Sequence, residues 1–390
     1  MVRRFTGVLA LLLATCLIAA CSSLSLRTPV PKELQDVAAV PGLPNVRYWG
    51  DELPDNIDAL VAQHSRQIVA NHLQRGNFLA LSGGGGDGAF GAGLLVGWTA
   101  SGTRPEFEVV TGISTGALIA PFAFLGPAYD RKLNAVYTSY GTTQIASFNI
   151  LGGLLGGVAI TEDSQLKELI AKFVPDDVIA AIAREHMRGR RLLVGTTNLD
   201  SQRPVVWDMG AIAASGAPDA PQLFRDVLLA SASVPGLFPP VFIDVTAAGQ
   251  KLQEMHVDGG TTAEVFFLPP ELIRMADAGN SMGHRPNLYV ISNGKLGPEY
   301  KPVAANTFSI VKRSVQTLIK SQWSSDLVGL YIGASEAGMV FHLASVPTSF
   351  DKVSSEPFDR DYMRALFRRG YELGRSGHPW ADRPPGAIGY

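Results

Sequence analysis

The sequence predicts an α/β fold with a mainly parallel central sheet and helices on both faces. A short apolar run bounded by glycine, NFLALS at 77–82, precedes a helical run of small and apolar residues at 89–101. The same order returns at once, because FEVVTG at 107–112 is typical of a buried strand and leads into a helical run at 113–125. Strand, glycine turn and helix in repetition are the signature of parallel βαβ units.

Further elements are predicted along the rest of the chain. Apolar or alternating runs predict strands at 190–199, 203–209, 241–245, 253–258, 286–292 and 338–346. Helical patterns lie at 56–73, 222–233 and 306–338. From Asp359 onward a basic amphipathic helix is predicted, which we interpret as a docked terminal helix rather than a membrane-binding one.

Composition limits the classes of partner. Hydrophobic residues make up 46% of the 390 residues and charged residues only 17%, so the chain can bury a substantial core. The formal net charge is −2 without a long basic run, which argues against nucleic acid, since phosphate neutralisation needs clustered Lys and Arg. The 41 glycines exceed the number expected from average usage, about 27, and much of the excess falls in short motifs.

The first twenty residues are predicted to be a secretory signal peptide. Arg3 and Arg4 precede an uncharged apolar stretch at 7–20, which is too short to span a membrane and ends in small residues. Ile18-Ala19-Ala20-Cys21 resembles a bacterial lipobox, which makes Cys21 the predicted lipidation site; the alternative is ordinary cleavage nearby. Cleavage removes two arginines and no acids, and so changes the net charge from −2 to −4.

A lipid on Cys21 would anchor the protein to a membrane of the bacterial cell envelope. An Asp directly after the lipidated cysteine would argue for retention at the inner membrane. This chain has Ser22 there, so the outer membrane or a periplasm-facing position is expected. After the signal peptide, the sequence predicts a tether and leading helix at 21–74, a main domain at 75–345 and a helical tail at 346–390.

The first chemical motif is Gly112-Ile113-Ser114-Thr115-Gly116, between a predicted strand and a predicted helix. A serine there lies on a tight turn that exposes its hydroxyl, and Gly112 and Gly116 leave room for the turn and for substrate. The amino terminus of the following helix favours negative charge at the site. This context indicates a nucleophile, whereas Gly and Ser alone indicate only a turn.

The second motif is the glycine run Gly83–Gly88, interrupted by Asp87. Consecutive glycines let backbone N–H groups converge on one point, where they can hold an oxyanion. A rival interpretation is dinucleotide binding, because Gly86, Gly88 and Gly91 fit G-x-G-x-x-G and Glu106 or Glu108 lies about 20 residues further on. The serine turn after the next strand argues against that interpretation.

The third motif is Asp258-Gly259-Gly260, at the end of a predicted strand. Alone it is a common β-turn string. As a base for a serine, a carboxylate with the reference pKa of about 3.9 is poor at neutral pH. Burial in an apolar site raises that pKa and makes proton transfer feasible.

Together these motifs resemble the patatin-like phospholipase family. The resemblance covers about residues 77–345 and includes ASASVP at 230–235 and FPP at 238–240. It implies a three-layer α/β fold, a Ser–Asp dyad without histidine and no metal or organic cofactor. By resemblance, Ser114 is the nucleophile and Asp258 the base. The implied oxyanion hole comprises Gly83, Gly84, Gly85, Gly86, Asp87 and Gly88.

The chain departs from the family at one position, since Asp87 stands where the family usually has Arg or Lys. A carboxylate facing the substrate would repel an oxyanion and a phosphate. Alternatively, Asp87 points outward and caps the helix that begins near Gly88. This departure keeps open a non-catalytic envelope lipoprotein that retains a degenerate lipid-binding site.

The sequence therefore predicts a serine lipid-acyl hydrolase of the phospholipase A or esterase type, with lipid acyl esters as substrates. A second alternative is an esterase with a Ser-His-Asp triad. For that triad, His256 shares a strand face with Asp258, and His284 and His342 follow later in the chain. The head group, the acyl position and the oligomeric state are left open.

Overall fold

A computed structural model describes residues 27–71, 76–148, 161–162, 164–277, 285–377 and 379–387. Cys21, the predicted signal peptide and His284 lie outside the described residues.

The core of the molecule is a nine-stranded mixed sheet, accompanied by a separate two-stranded hairpin. The strands are β1 (Arg47–Trp49), β2 (Asn77–Leu81), β3 (Val109–Ile113), β4 (Ser147–Phe148), β5 (Thr161–Glu162), β6 (Arg191–Asn198), β7 (Arg203–Asp208), β8 (Val241–Ala247), β9 (Gln250–Asp258), β10 (Asn287–Ser292) and β11 (Val340–Ser345). The main path runs β1-β7-β6-β3-β2-β10-β11, while β9 pairs with β6 and β8. The hairpin is β4–β5.

The five strands β6, β3, β2, β10 and β11 are parallel, and the strands beyond β6 are antiparallel. The parallel strands are buried on both faces, which explains their nearly continuous apolar sequences. Their carboxyl ends meet at one edge of the sheet, which is where open α/β sheets place their ligand sites. Ser114 directly follows β3 at that edge.

Helices cover both faces of this sheet. They are α1 (Ile57–Ala70), α2 (Gly88–Ala100), α3 (Thr115–Leu125), α4 (Asp130–Thr138), α5 (Thr142–Ile145), α6 (Ser164–Phe173), α7 (Asp176–Arg188), α8 (Met209–Ala214), α9 (Ala220–Ser231), α10 (Pro270–Asp277), α11 (Thr307–Glu336) and α12 (Arg360–Ser376). Alternate residues of β2 point into two separate cores: Leu79 and Leu81 face α2, α3 and α9, while Phe78 and Ala80 face α10 and α11. The predicted three-layer α/β fold is confirmed.

The predicted tail packs into the body of the molecule. Helix α12 lies so close to α2 that a Cβ atom on Gly93 or Gly97 would stand 2.0–2.1 Å from a carbonyl oxygen of α12. Gly370 and Gly374 meet the carbonyls of α2 in the same way. Two glycines four residues apart on each helix therefore allow backbone contact, and the interpretation of α12 as a docked helix is confirmed.

The predicted tether is also more ordered than its sequence indicates. Arg47–Trp49 forms β1, which pairs with β7 at the edge of the main sheet. Val40, Leu43 and Val46 are buried in the core. From residue 27 onward this segment is thus part of the folded unit, which corrects the prediction of a tether up to the leading helix. In the described part of the chain, no helix is long and apolar enough to cross a bilayer.

Candidate active site

Ser114 occupies a strained turn between β3 and α3. Its φ of +54° is unusual for a residue with a side chain, and such strain is typical of functional sites. A Cβ atom on Gly112 would lie 2.5 Å from the carbonyl oxygen of Gly116, and one on Gly116 would lie 2.4 Å from that of Leu81. Both glycines of the motif are therefore required by close backbone approach.

A buried serine holds this turn in place. The N–H of Ser114 donates to Oγ of Ser231 at 3.0 Å, and that hydroxyl donates to the carbonyl of Gly195 at 2.7 Å. Ser231 belongs to the segment 230–235 on which part of the family resemblance rests. Its function is thus to connect the serine turn to β6.

Asp258 ends β9 at the same edge of the sheet and is only 4% exposed. Its Oδ1 accepts the N–H of Gly260 at 2.7 Å, while Oδ2 has no hydrogen-bond partner among the described residues. Burial raises the pKa of Asp258 to about 7, although the nearby Ser114 hydroxyl and the Gly260 N–H lower it. The structure thus brings Ser114 close to a carboxyl that is half ionised near neutral pH.

The Ser114 hydroxyl lies close enough to Asp258 to lower the pKa of that carboxyl, but the two side chains are not aligned for a strong hydrogen bond to Oδ2. Catalytic hydrogen bonds are often loose before substrate binds and tighten in the complex. Ser114 is 6% exposed, so its hydroxyl opens onto a cavity rather than onto bulk solvent.

Backbone hydrogen bonds already made by the glycine loop reduce the number of its N–H groups that can donate to an oxyanion. The N–H of Gly83 donates to the carbonyl of Glu264, that of Asp87 to Gly84, and that of Gly88 to Gly85 and Gly86. These three N–H groups are already engaged, which leaves those of Gly84, Gly85 and Gly86 as the candidates. Gly84 (φ +143°) and Gly85 (φ +55°) adopt conformations that favour glycine.

Asp87 neither caps α2 nor points into bulk water. Its side chain makes no capping hydrogen bond. Instead, Oδ1 accepts a hydrogen bond of 2.7 Å from the hydroxyl of Tyr362 on α12. Burial raises the pKa of Asp87 to about 6, partly offset by this hydrogen bond. The sequence predicted that Asp87 either faces the substrate or caps the helix. The structure instead shows its side chain bonded to the terminal helix α12.

Sequence reasoning missed a second buried acid, Glu264. A Cβ atom on Gly83 or Gly260 would lie 2.5 or 2.8 Å from its carboxylate oxygens, so the carboxyl fits between the glycine loop and the Asp258 turn. Burial and the charges of Asp258 and Asp326 raise the pKa of Glu264 to about 8. Its carboxyl is therefore mostly protonated at pH 7. The available signal was an acid within an otherwise uncharged stretch at 259–270.

An apolar cavity of about 90 Å³ begins at Ser114. Its lining consists of Gly85, Ser114, Thr115, Leu118, Phe122, Val136, Tyr137, Tyr140, Ile145, Leu166, Leu169, Ile170, Phe173, Val174, Ala232, Val234, Phe238, Phe358 and Met363. The Tyr137 hydroxyl is hydrogen-bonded to Thr115, so it does not make the cavity polar. Aliphatic and aromatic side chains suit a hydrocarbon chain.

The described histidines have partners elsewhere. His256 is fully buried, with Nδ1 at 2.9 Å from Oγ1 of Thr196 and Nε2 at 3.0 Å from Oε2 of Glu254. His342 stacks on Tyr289 and contacts the side chain of Asn287, at the start of β10 and away from the serine edge. Neither candidate from the sequence is in the arrangement of a Ser-His-Asp triad.

Comparison with known proteins decides the family. The sequence model of the patatin-like phospholipases matches residues 79–269, which include β2, the glycine loop, Ser114, Asp258 and Glu264. Residues 79–269 form a patatin-like phospholipase domain. This patatin-like domain supports lipid hydrolysis as its general activity.

Two further comparisons accompany this match. None of the curated proteins matches the sequence. Among solved structures, the patatin-like chain is similar to VipD from Legionella pneumophila, with 11% sequence identity and a TM-score of 0.37. The similarity covers 78% of this chain and 67% of VipD.

Proposed function

We propose that the protein is a serine lipid-acyl hydrolase of the phospholipase A or esterase type, with Ser114 as nucleophile and Asp258 as base. The observation that carries the proposal is the buried Asp258 carboxyl, with Oδ2 unpartnered in the described part of the chain, beside a serine held in a strained turn. Buried carboxylates normally have partners, and exceptions concentrate where chemistry occurs.

In the first step, Oγ of Ser114 attacks the carbonyl carbon of the ester while Asp258 accepts the hydroxyl proton. The carbonyl oxygen becomes an oxyanion, for which the N–H groups of Gly84, Gly85 and Gly86 are the proposed donors. As the tetrahedral intermediate collapses, the carbon–oxygen bond to the alcohol breaks. Protonated Asp258 returns the proton to the leaving alkoxide, which departs as an alcohol.

In the second step, water attacks the acyl-Ser114 ester and gives its proton to Asp258. The bond to Ser114 breaks, the fatty acid leaves, and the proton returns to the Ser114 oxygen. The net reaction consumes one ester and one water and yields one acid and one alcohol. A base with a pKa of about 7 suits both directions of proton transfer at neutral pH.

The protonated state of Glu264 supports this assignment. A second carboxylate ionised beside Asp258 would oppose the negative charge that develops at the oxyanion. Because burial and neighbouring charges raise the pKa of Glu264 to about 8, it is mostly neutral under the conditions where Asp258 begins to act as a base. The two acids therefore hold different charges near neutral pH.

The apolar lining of the cavity supports an acyl group as the substrate portion nearest Ser114. The lining is nearly all apolar, and hydrocarbon burial contributes about 0.8 kcal/mol per CH₂.

The test is covalent labelling with a fluorophosphonate probe, followed by mass spectrometry of the labelled peptide. Ser114→Ala should abolish labelling and lower ester hydrolysis by about 10³-fold or more, because it removes the nucleophile. Ser335→Ala on the exposed surface of α11 is the matched control and should label normally. A probe adduct on another serine, with hydrolysis retained in Ser114→Ala, would overturn the assignment.

We also propose that Cys21 carries a lipid that anchors the protein in the bacterial envelope, at the outer membrane or facing the periplasm. The support is the lipobox-like sequence before Cys21, a position outside the described residues. Cys21→Ser should leave unprocessed precursor or protein that extracts into buffer. Fractionation checks this, and equal extraction of wild type and variant would contradict it.

A further inference from the structure

Glu264 has a buried carboxyl without a protein partner, beside the two residues of the proposed dyad. The residue is 8% exposed, and no hydrogen bond from the described residues acts on its carboxyl. The charged groups that act on it are two further acids, Asp258 and Asp326. A carboxyl kept for stability normally has hydrogen-bond donors or a cation beside it, so this arrangement points to chemistry.

The backbone of Glu264 is fixed from two sides. Its N–H donates to Oδ2 of Asp326 on α11 at 2.8 Å, and its carbonyl accepts the N–H of Gly83 at 2.9 Å. One bond connects the residue to a neighbouring helix, and the other connects it to the first glycine of the loop. The side chain therefore starts from a fixed point between α11 and the active site.

The carboxyl itself borders both side chains of the dyad. A Cβ atom on Gly83 would lie 2.5 Å from Oε2 of Glu264 and 3.4 Å from Cβ of Ser114, so only a gap the size of a methyl group separates them. A Cβ atom on Gly260 would lie 2.8 Å from Oε1 of Glu264 and 3.1 Å from Oδ1 of Asp258. Glu264 thus has the serine on one side and the base on the other.

The gap between the two carboxyls can be bridged by one water molecule. Oε1 of Glu264 and Oδ1 of Asp258 each lie within 3.1 Å of one point, so they are at most twice that distance apart. A water molecule with two hydrogen bonds of about 2.8 Å bridges a span of this size. The Ser114 hydroxyl acts on Asp258 but not on Glu264. The serine therefore uses one acid, and the other is left for the water.

We propose that Glu264 is a further catalytic residue, which holds the water that hydrolyses the acyl-Ser114 intermediate. This inference rests on the proposed function, because it concerns the second step of that reaction. The water donates one hydrogen bond to Asp258 and the other to the carbonyl oxygen of the Glu264 carboxyl. An oxygen lone pair of the water is then free to attack the acyl carbon.

The proton balance of the second step is unchanged by this contact. The water oxygen bonds to the acyl carbon, and one of its protons passes to Asp258. The bond to Ser114 breaks as that proton returns to Oγ, and the fatty acid leaves with the other hydrogen of the water. Glu264 keeps its own proton throughout.

An uncharged acceptor suits this position. Burial and the charges of Asp258 and Asp326 raise the pKa of Glu264 to about 8, so its carboxyl is mostly protonated at pH 7. Its carbonyl oxygen then accepts from the water without placing a second negative charge beside the developing oxyanion. Glutamine has the same carbonyl oxygen, whereas methionine has a similar size and no oxygen. These two residues therefore separate hydrogen bonding from packing.

The test is the kinetics of the full chain on an activated p-nitrophenyl ester, for which acylation is fast and hydrolysis of the acyl-enzyme limits kcat. Glu264→Met should lower kcat about 10- to 100-fold, because the water is no longer held. KM should fall with kcat, and kcat/KM should change far less, since kcat/KM reports only the steps up to acylation. Mass spectrometry of acid-quenched protein should then find the acyl group on Ser114.

Glu264→Gln should recover most of the lost kcat, because its carbonyl oxygen accepts from the water. Glu264→Leu repeats the test with a second apolar side chain. Glu33→Met, at an exposed position, is the matched control and should behave as the wild type.

An equal fall of kcat and kcat/KM in Glu264→Met, without an acyl adduct, would overturn the inference. So would an equal loss of kcat in Glu264→Gln and Glu264→Met. If the wild type forms no acyl adduct on Ser114 and Ser114→Ala still hydrolyses the ester, the proposed function fails as well.

Discussion

Two buried acids on β9 are held in opposite ways. Glu254 and Asp258 lie on the same face of the strand, four residues or about 13 Å apart, with His256 between them. Both are almost inaccessible to water. Burial alone would raise the pKa of Glu254, yet hydrogen bonds from His256 and Arg47 and the charge of Arg47 bring it below the usual range. Among the described residues no such cation acts on Asp258, and its pKa rises.

The difference separates structural from chemical use of a buried carboxyl. Around Glu254 every polar group has a partner, since Arg47 also donates to the carbonyl of Ala38 and His256 contacts Thr196. Around Asp258 one carboxylate oxygen has no partner among the described residues, and the nearest acid, Glu264, adds charge of the same sign. The fold therefore gives Glu254 hydrogen-bond partners and a cation, which keep it ionised. It gives Asp258 neither a cation nor a partner for Oδ2 among the described residues, so Asp258 can accept a proton near neutral pH.

The largest expected effect comes from Asp258→Asn. The amide cannot accept the proton of Ser114, so kcat/KM on a short-chain ester should fall about 10³-fold. Stability should be unchanged or higher at pH 8, because the variant no longer buries an unpaired charge. Steady-state kinetics and thermal melts measure both quantities. Normal activity in this variant would remove Asp258 from the mechanism.

Glu254→Gln should produce the opposite pair of results. It leaves the Arg47 guanidinium without its charge partner in a buried site, which should lower the free energy of unfolding by about 3 to 5 kcal/mol. The activity per folded molecule should stay near that of the wild type. Urea unfolding measures the loss. Replacing both Arg47 and Glu254 with Met should recover part of it, and failure to recover would show that packing, not charge, dominates at this site.

Titration should distinguish the role of Asp258 from that of its acidic neighbour Glu264. The rate rises as Asp258 ionises through about pH 7 and falls as Glu264 ionises through about pH 8, so kcat/KM should be bell-shaped. Glu264→Gln should remove the alkaline decline and leave the acidic limb. A profile that keeps its alkaline decline in Glu264→Gln would contradict the assignment of that limb.

Stability should fall with pH while activity rises along the acidic limb of this profile. The pKa values of Asp258 and Glu264 are raised on folding, so the unfolded chain releases these protons first as pH rises. The folded state is therefore favoured below about pH 4 and loses this contribution as pH increases to about 8. For Asp258 the span from 3.8 to about 7 corresponds to about 4 kcal/mol. Asp258→Asn should flatten the measured dependence.

The sequence predicted the parallel sheet because its central strands are buried on both faces and read as continuous apolar runs. The predicted strand 77–82 and the helix after it match β2 and α2 within one or two residues. Strand β1 was missed, since its three residues are only partly buried, show no alternation and follow a Pro-containing stretch. Its paired residues on β7 are 156 to 160 positions away, so this is a long-range contact.

The parts of the site in which glycine permits a close backbone approach could be predicted from the sequence. The contacts between side chains that are distant in sequence could not. Gly112, Gly116 and the glycine loop identify their turns through their own sequence. Glu264 is buried because its carboxyl lies against Gly83, which is distant in sequence. No local sequence pattern predicts that contact. Tyr362 lies 275 residues from Asp87. The sequence therefore predicted only a helix-capping role or a contact with substrate for Asp87.

Asp87 is intermediate between the two acids of β9, because it is buried with one neutral partner, and it should give the smallest effects. Tyr362→Phe removes one hydrogen bond, so we expect a loss of about 1 kcal/mol in the free energy of unfolding and a further rise in the pKa of Asp87. Asp87→Asn keeps an oxygen that can accept from Tyr362 and should leave the stability nearly unchanged, whereas Asp87→Arg removes the acceptor and buries a cation.

If Asp87 acts only through α12, Asp87→Arg lowers the melting temperature without raising the rate on anionic phospholipids relative to neutral esters. A rate increase on anionic substrates at unchanged stability would instead place Asp87 in contact with the substrate and return it to the group of acids that do chemistry.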